Sequence, residues 1–271
     1  MKKSRLFIIL LLVWIFLAVV LGIYDLDISK SIVNQNSNWA KFLENYGMIP
    51  GILVILSGMY IYYSYIKINS GVWSYIQRVV LFVVSSGLIF HLFEIIIGEF
   101  VTNNLIVFLI VSFAISLIVF TTLHIKNQVQ NILTIGYSKV VLGMGLVGYV
   151  IFIQGIKYFW GRVRFRELDA AFSQFTPWYL PQGFTGFDSF PSGHAAMGFI
   201  LLPLLILLSN HIEWIKIFVF VLIFLWGVVL ALSRLAIGAH YASDVLFGSF
   251  FIIMSFLLLA KRYEKLPKDL K

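Results

Sequence analysis

Eight stretches of this chain stay apolar for about the distance that a helix needs to cross a lipid bilayer. That constraint outranks every other feature of the sequence. They lie at about 6–23, 48–66, 79–97, 105–123, 140–156, 195–209, 217–233 and 243–260. A helical span takes roughly 20 apolar residues. Inside hydrocarbon the backbone must satisfy its own hydrogen bonds, which leaves helices as the form such segments take. The expected class is therefore all-α, a polytopic transmembrane helix bundle of about eight spans, forming one domain over 1–271. Composition agrees, because 61% of residues are hydrophobic and 12% charged, where soluble domains carry about a quarter charged. Cysteine is absent, which excludes disulfides, thiolate chemistry and any Cys-based metal site. The net charge of +8 does not point to nucleic acid, since much of the excess sits at the two ends.

Charge distribution sets the expected orientation. With the N-terminus in the cytoplasm, the cytoplasmic pieces are 1–5, 67–78, 124–139, 210–216 and 261–271, and they hold 13 of the 20 lysines and arginines. The positive-inside rule then puts both termini in and 157–194 and 234–242 out. The first run follows Lys2, Lys3 and Arg5 like the front of a signal peptide. No small-residue cleavage site follows, so it is expected to remain as an anchor. Residues 24–47 read as an outer loop in which Ile28, Ile32, Trp39, Phe42, Leu43 and Tyr46 recur at near-helical spacing, the pattern of a helix lying in the interface. The segment 157–194 contains Pro177, Pro181 and Pro191, which forbid one continuous helix.

Three polar clusters return to the ends of spans expected to share the outer face. The first is "KYFWGRVR", Lys157 to Arg164. The second is "PSGH", Pro191 to His194. The third is "SRLAIGAHYASD", Ser233 to Asp244. Together they supply the cations Lys157, Arg164 and Arg234, two histidines, a carboxylate and a helix N-terminus, an inventory suited to a phosphate ester. Phosphoryl transfer needs positive groups around the equatorial oxygens, and Lys157, Arg164 and Arg234 provide them. Ser192 and Gly193 stand where a helix begins, where amide N–H groups favour an anion. His240 and Asp244 are four apart and share a helix face. The carboxylate is thus placed to hold one ring nitrogen as N–H and leave the other to attack phosphorus. His194 is placed to protonate the departing oxygen. Arg162 and Arg166 are expected to snorkel to the interface. His91 and Glu94, three apart within a span, are expected to form an interhelical hydrogen bond.

These clusters resemble the signature of the type 2 phosphatidic acid phosphatase family, written K-x6-R-P, P-S-G-H and S-R-x5-H-x3-D. The chain has Lys157-x6-Arg164, then Pro191-Ser192-Gly193-His194, then Ser233-Arg234-x5-His240-x3-Asp244. It departs from the pattern at Phe165, where proline is usual. The resemblance covers about 140–260 and implies a six-span phosphatase core. It implies His240 as nucleophile, Asp244 as its orienter and His194 as general acid. Lys157, Arg164, Arg234, Ser192 and Gly193 would bind phosphate. No metal and no cofactor would take part.

The reading that follows is a phosphatase acting on a lipid phosphate or diphosphate at the outer face of a bacterial plasma membrane. Its substrates would be of the undecaprenyl diphosphate, phosphatidylglycerophosphate or phosphatidate kind. Rival readings remain. A lipid phosphotransferase would use the same site with another acceptor. A transporter or flippase would place its charges near the midplane, as at His91 and Glu94. Zinc on His194, His240 and Asp244 is opposed by the three cations around it, and a haloperoxidase, known among soluble relatives of the fold, by the spans. Orientation is tested by single cysteines in this cysteine-free chain. One placed within 179–187 should react with an impermeant reagent outside intact cells and one within 264–270 should not, the reverse pattern placing the site in the cytoplasm.

Overall fold

The computed structural model describes residues 3–66, 71–125 and 132–264. It is 78% helical with no strand among the described residues, hence all-α. The basic residues counted above within 1–2, 67–70, 126–131 and 265–271 lie outside the described residues. Seven of the described helical segments are long and apolar enough to cross a membrane: Ile8–Ile32, Asn38–Tyr65, Val72–Ile97, Leu105–Thr122, Ile132–Glu167, Glu213–Ala236 and Ala242–Lys261. The protein is a polytopic integral membrane protein.

The eighth expected span is not a span. Residues 195–209 form two short helices, α9 (Gly193–Phe199) and α10 (Leu204–Leu207), separated by turns. Pro203 stands between them and has no N–H to donate to the preceding turn. The whole apolar stretch Gly193–Leu207 would reach about 22 Å as one helix, short of a hydrocarbon core of about 30 Å.

The N-terminal boundary also differs. Helix α1 (Lys3–Ile32) continues through Asp25 and Lys30 rather than ending near 23. Only the later part of the expected interfacial segment is a separate helix, α2 (Asn38–Tyr46), with Ala40 and Leu43 on its buried side. Along α1 the buried positions Ala18, Gly22, Asp25 and Ser29 recur at helical spacing and make one face. That face is mostly small, and it lets Trp178 donate its indole N–H to the Ala18 carbonyl at 2.8 Å. A Cβ at Gly22 would come within 2.7 Å of the same indole nitrogen.

The chain folds into two compact units, each assembled from separate stretches. One contains 48–145, 200–220 and 256–271. Here α3 (Ile49–Tyr65) packs on α7 (Ile132–Gly143), and α4 (Val72–Ile97) packs on α6 (Leu105–Ile125). A Cβ at Gly58 would strike Val141, so the absence of a side chain there brings α3 and α7 together. His91 and Glu94 pair with each other at 3.1 Å within α4 and are exposed. The interhelical bond expected of them is replaced by a local i, i+3 contact.

The other unit contains 1–47, 146–199 and 221–255, and it holds all three motifs. Its aromatic core joins Phe190, Phe247, Trp160 and Trp178 around Ala18. What positions the third motif is the way α11 (Glu213–Ala236) stops and α12 (Ala242–Glu264) starts. Gly238 adopts φ +67°. Its N–H bonds to the Leu235 carbonyl, and the Ala239 N–H bonds to the Arg234 carbonyl, both at 3.0 Å. This is the paired bonding that closes a helix on a left-handed glycine. The reversal accounts for the spacing between Arg234, in the last turn of α11, and His240. Gly238→Ala forces a Cβ into that conformation, 3.1 Å from Val33 and 3.2 Å from Phe165. It should destabilise the protein by about 1–2 kcal/mol, read as a lower Tm in detergent, with a concurrent loss of activity as His240 shifts.

Candidate active site

His240 is buried, and its Nδ1 lies 2.6 Å from the Ser189 carbonyl oxygen. A carbonyl only accepts, so Nδ1 carries the hydrogen and Nε2 carries the lone pair of the neutral ring. Asp244 Oδ2 is 3.6 Å from the same nitrogen. The single Nδ1 hydrogen belongs to the nearer carbonyl, and the carboxylate acts on the ring through charge. The direct bonds of Asp244 go elsewhere. Oδ2 accepts from the Ser189 hydroxyl at 2.6 Å and from the Tyr241 amide at 2.9 Å, and Oδ1 accepts from Arg162 Nη1 at 2.6 Å. Asp244 thus ties the ring's anchor, Ser189, to the first turn of α12, where an acidic residue reaching back to the preceding amide is favourable.

Arg162 is the centre of this arrangement. It is fully buried, contrary to the snorkelling expected of it. It donates from Nη1 to Asp244 and to Ser243 Oγ at 2.9 Å, from Nη2 to Asp25 Oδ2 at 2.9 Å, and from Nε to the Thr176 carbonyl at 2.8 Å. Its guanidinium lies 3.9 Å over the Tyr241 ring. Asp25 completes the network by accepting the Ser243 amide at 2.9 Å and the Ser243 hydroxyl. Arg166, the other expected snorkeller, pairs with Glu44 at 2.9 Å.

The remaining cations gather around this core. Lys157 donates to the Asp188 carbonyl and lies 3.6 Å from the Asp188 carboxylate. Arg164 Nη2 reaches the same carboxylate at 2.5 Å. Arg234 is buried and donates from Nη2 to Glu44 at 3.0 Å, while its Nε and Nη1 are buried with no hydrogen-bond partner among the described residues. Arg164 Nε is also buried and unpartnered among the described residues. Donors left in that state cost free energy unless something accepts from them.

The second motif is joined to the third by backbone. The Ser192 amide donates to the Asp244 carbonyl at 2.9 Å, and a Cβ on Gly248 of α12 would land on the Ser192 carbonyl oxygen. Gly193 opens α9, and a Cβ on it would stand 3.3 Å from the Tyr149 hydroxyl. His194 directs Nε2 at the Glu44 carbonyl, 3.0 Å away. The first motif is laced in too, through Ser189 N–H to the Arg162 carbonyl and Arg166 N–H to the Gly238 carbonyl, both 3.0 Å. Burial first, and then the charge of Arg234, push the His194 pKa down to about 3. Burial pushes that of His240 down to about 4, against the pull of Asp244. Both rings are therefore neutral at ordinary pH. Asp188 is held below the usual carboxylate range by Lys157 and Arg164, which outweigh its desolvation.

A family model for the PAP2 superfamily matches residues 136–268. The part of the chain that carries all three motifs thus resembles the PAP2 superfamily. No curated protein and no solved structure matches the chain. PAP2 superfamily members are phosphatases, which supports a phosphoric ester hydrolase.

All eight residues singled out in the PAP2 motifs lie in the one compact unit. Three more that contact them were not anticipated, Glu44, Asp188 and Ser189, and a fourth, Asp25, reaches Asp244 only through Arg162. Asp25 and Glu44 lie outside the PAP2 match altogether. A signal for Asp25 was present, since a carboxylate on an otherwise apolar helix calls for a partner. Glu44 and Asp188 carried none. Among the described residues, no group of three or more His, Asp or Glu is arranged to hold a metal ion. Two cavities flank the cations. One of about 490 Å³ is lined by Lys157, Asp188, Tyr158, Phe184 and Phe187. The other, about 230 Å³, is lined by Glu44, Arg166, Lys41, Gln35 and Asn36.

The Arg162 network yields a stability prediction. Arg162→Ala leaves two buried carboxylates unpaired and should cost about 3–5 kcal/mol. Arg162→Lys keeps the charge but cannot make the four bonds, and should fall between. In thermal denaturation in detergent, Asp25→Asn should be far less damaging in the Arg162→Ala background than alone, because the charge it removes is then uncompensated.

Proposed function

We propose that this protein hydrolyses a lipid phosphate or diphosphate at the outer membrane face through a phosphohistidine on His240, without metal. The observation that carries the reading is Arg234. Its guanidinium is buried with two donor nitrogens unpartnered, beside Arg164, Lys157 and two neutral histidines. Such a cluster suits a phosphate, whose oxygens satisfy the free donors and whose charge balances the cations.

Each step then has a group to perform it. His240, with Nδ1–H held by the Ser189 carbonyl, attacks phosphorus from Nε2. A pKa of about 4 keeps that nitrogen unprotonated across the ordinary range. Arg164, Arg234 and Lys157 stabilise the equatorial oxygens, with Ser192 and Gly193 beside them. His194 gives a proton to the departing oxygen. It is neutral with its pKa near 3, and the negative charge of an arriving phosphate favours its protonated form. Water then attacks the phosphohistidine, releases phosphate and restores His240. Three aromatic side chains, Tyr158, Phe184 and Phe187, line the larger cavity next to Lys157, which suits an apolar leaving group. The excess of lysine and arginine in the proposed cytoplasmic pieces supports an outward site, with both termini inside. A bacterial plasma membrane, with membrane lipids as the surrounding partners and no nucleic acid, remains the reading of location.

The direct experiment is release of inorganic phosphate from a panel of lipid phosphates by the purified protein in the presence of EDTA. Release by wild type and none by His240→Ala is expected. Loss on chelation that a divalent metal restores would return the site to a zinc reading. The two histidines separate by leaving group. A lipid alkoxide needs a proton, an effect of about 10²–10⁴-fold, whereas nitrophenolate leaves readily. His194→Ala should therefore lose most of its kcat/KM on a lipid monophosphate and a much smaller fraction on p-nitrophenyl phosphate. Equal losses on both would reduce His194 to a phosphate-positioning role.

A further inference from the structure

The buried and the half-exposed carboxylates of the site behave differently. Asp25 and Asp244 are fully buried and bonded to Arg162. Asp188 and Glu44 are not. The Asp188 side chain is 50% exposed and that of Glu44 26% exposed. Each forms part of the wall of a cavity, Asp188 of the larger and Glu44 of the smaller. Between them they hold Lys157, Arg164 and Arg234, the three cations proposed to bind phosphate. Asp188 places Oδ1 on Arg164 and Oδ2 near Lys157. Glu44 uses one oxygen, Oε1, for both Arg234 and Arg166.

We propose that Asp188 and Glu44 are resident counter-ions of the phosphate site, and that they set how tightly it binds the phosphate group. The proposal rests on the phosphatase reading above. A phosphate approaching Arg164, Lys157 and Arg234 meets cations that already have carboxylate partners. If the carboxylates turn away into the cavities beside them, those ion pairs must be broken. If they stay, two like charges oppose the incoming anion. Both routes weaken ground-state binding of the phosphate. The two carboxylates also hold the cations in place before substrate arrives, and they limit capture of free phosphate, the product of the proposed reaction. The two carboxylates are specificity-determining rather than catalytic, since neither is needed for a bond to form or break.

The distinguishing sign is a gain of affinity, which damage to structure does not produce. The test uses the full chain purified in detergent. Binding of inorganic phosphate and of orthovanadate is measured by calorimetry, with KM and kcat on a lipid monophosphate alongside. Asp188→Asn and Glu44→Gln keep shape and remove charge. Each should bind both anions about threefold or more tightly, the scale of a partly exposed ion pair, and should lower KM without raising kcat. Asp188→Glu and Glu44→Asp retain the charge and should stay near wild type. They also show whether a loss in the amides comes from altered packing. Unchanged or weaker binding by both amide variants, with wild type binding phosphate and Arg234→Ala binding it less, overturns this proposal and leaves the phosphatase reading intact. No binding by wild type, and no effect of Arg234→Ala, overturns both.

Discussion

One guanidinium organises the unit that carries the three motifs. Arg162 reaches α1 through Asp25, α12 through Ser243 and Asp244, and the connecting segment through the Thr176 carbonyl. Burying a charge is costly unless it is paired and hydrogen-bonded, and here one cation is matched with two carboxylates. The network therefore works as an all-or-nothing contact. Each partner that leaves would strand the others in a low-dielectric interior. That interdependence makes the positions of Asp244 and, through its hydroxyl, Ser189 unusually definite for groups that come from different parts of the chain.

The placement of His240 is inherited from this core. His240 is not gripped by the carboxylate one helical turn away. It is gripped by a main-chain carbonyl of Ser189, whose side chain Asp244 holds and whose amide bonds to the Arg162 carbonyl. A carbonyl cannot take up a proton as an imidazole charges, so it fixes the tautomer while leaving compensation of charge to Asp244 nearby. The site thus divides two tasks that a carboxylate commonly performs together. A similar division separates the buried acids, which build the site, from the rim acids Asp188 and Glu44, which meet Lys157, Arg164 and Arg234.

The PAP2 match begins at residue 136, yet the unit that carries the motifs draws on α1 and α2 as well. Asp25 anchors Arg162, and Glu44 touches Arg234, Arg166 and His194 by side chain or backbone. The N-terminal segment is thereby part of the site without containing a motif of its own.

What the sequence determined by itself follows from solvent and spacing. Long apolar runs have one stable form in lipid, so the all-α polytopic class was legible. Local spacing was equally informative. The placement of Gly238 between Arg234 and His240 specifies a helix end that brings both back to one place, and His240 to Asp244 spans the start of the next helix. Length was less reliable, because Pro203 divides a run that hydropathy alone reads as continuous, and α1 continues past its first polar residues where buried partners await them. Only tertiary structure decided the pairings. Nothing near Arg162 in the chain distinguishes it from Arg164 or Arg166, since all three are arginines at a span end. Their fates differ because Asp25 lies 137 residues away in sequence and Asp244 82 away, and which cation lies within hydrogen-bond reach of which anion is a property of packing. Coulomb energy depends on separation in space and on burial, and neither is written in the local sequence.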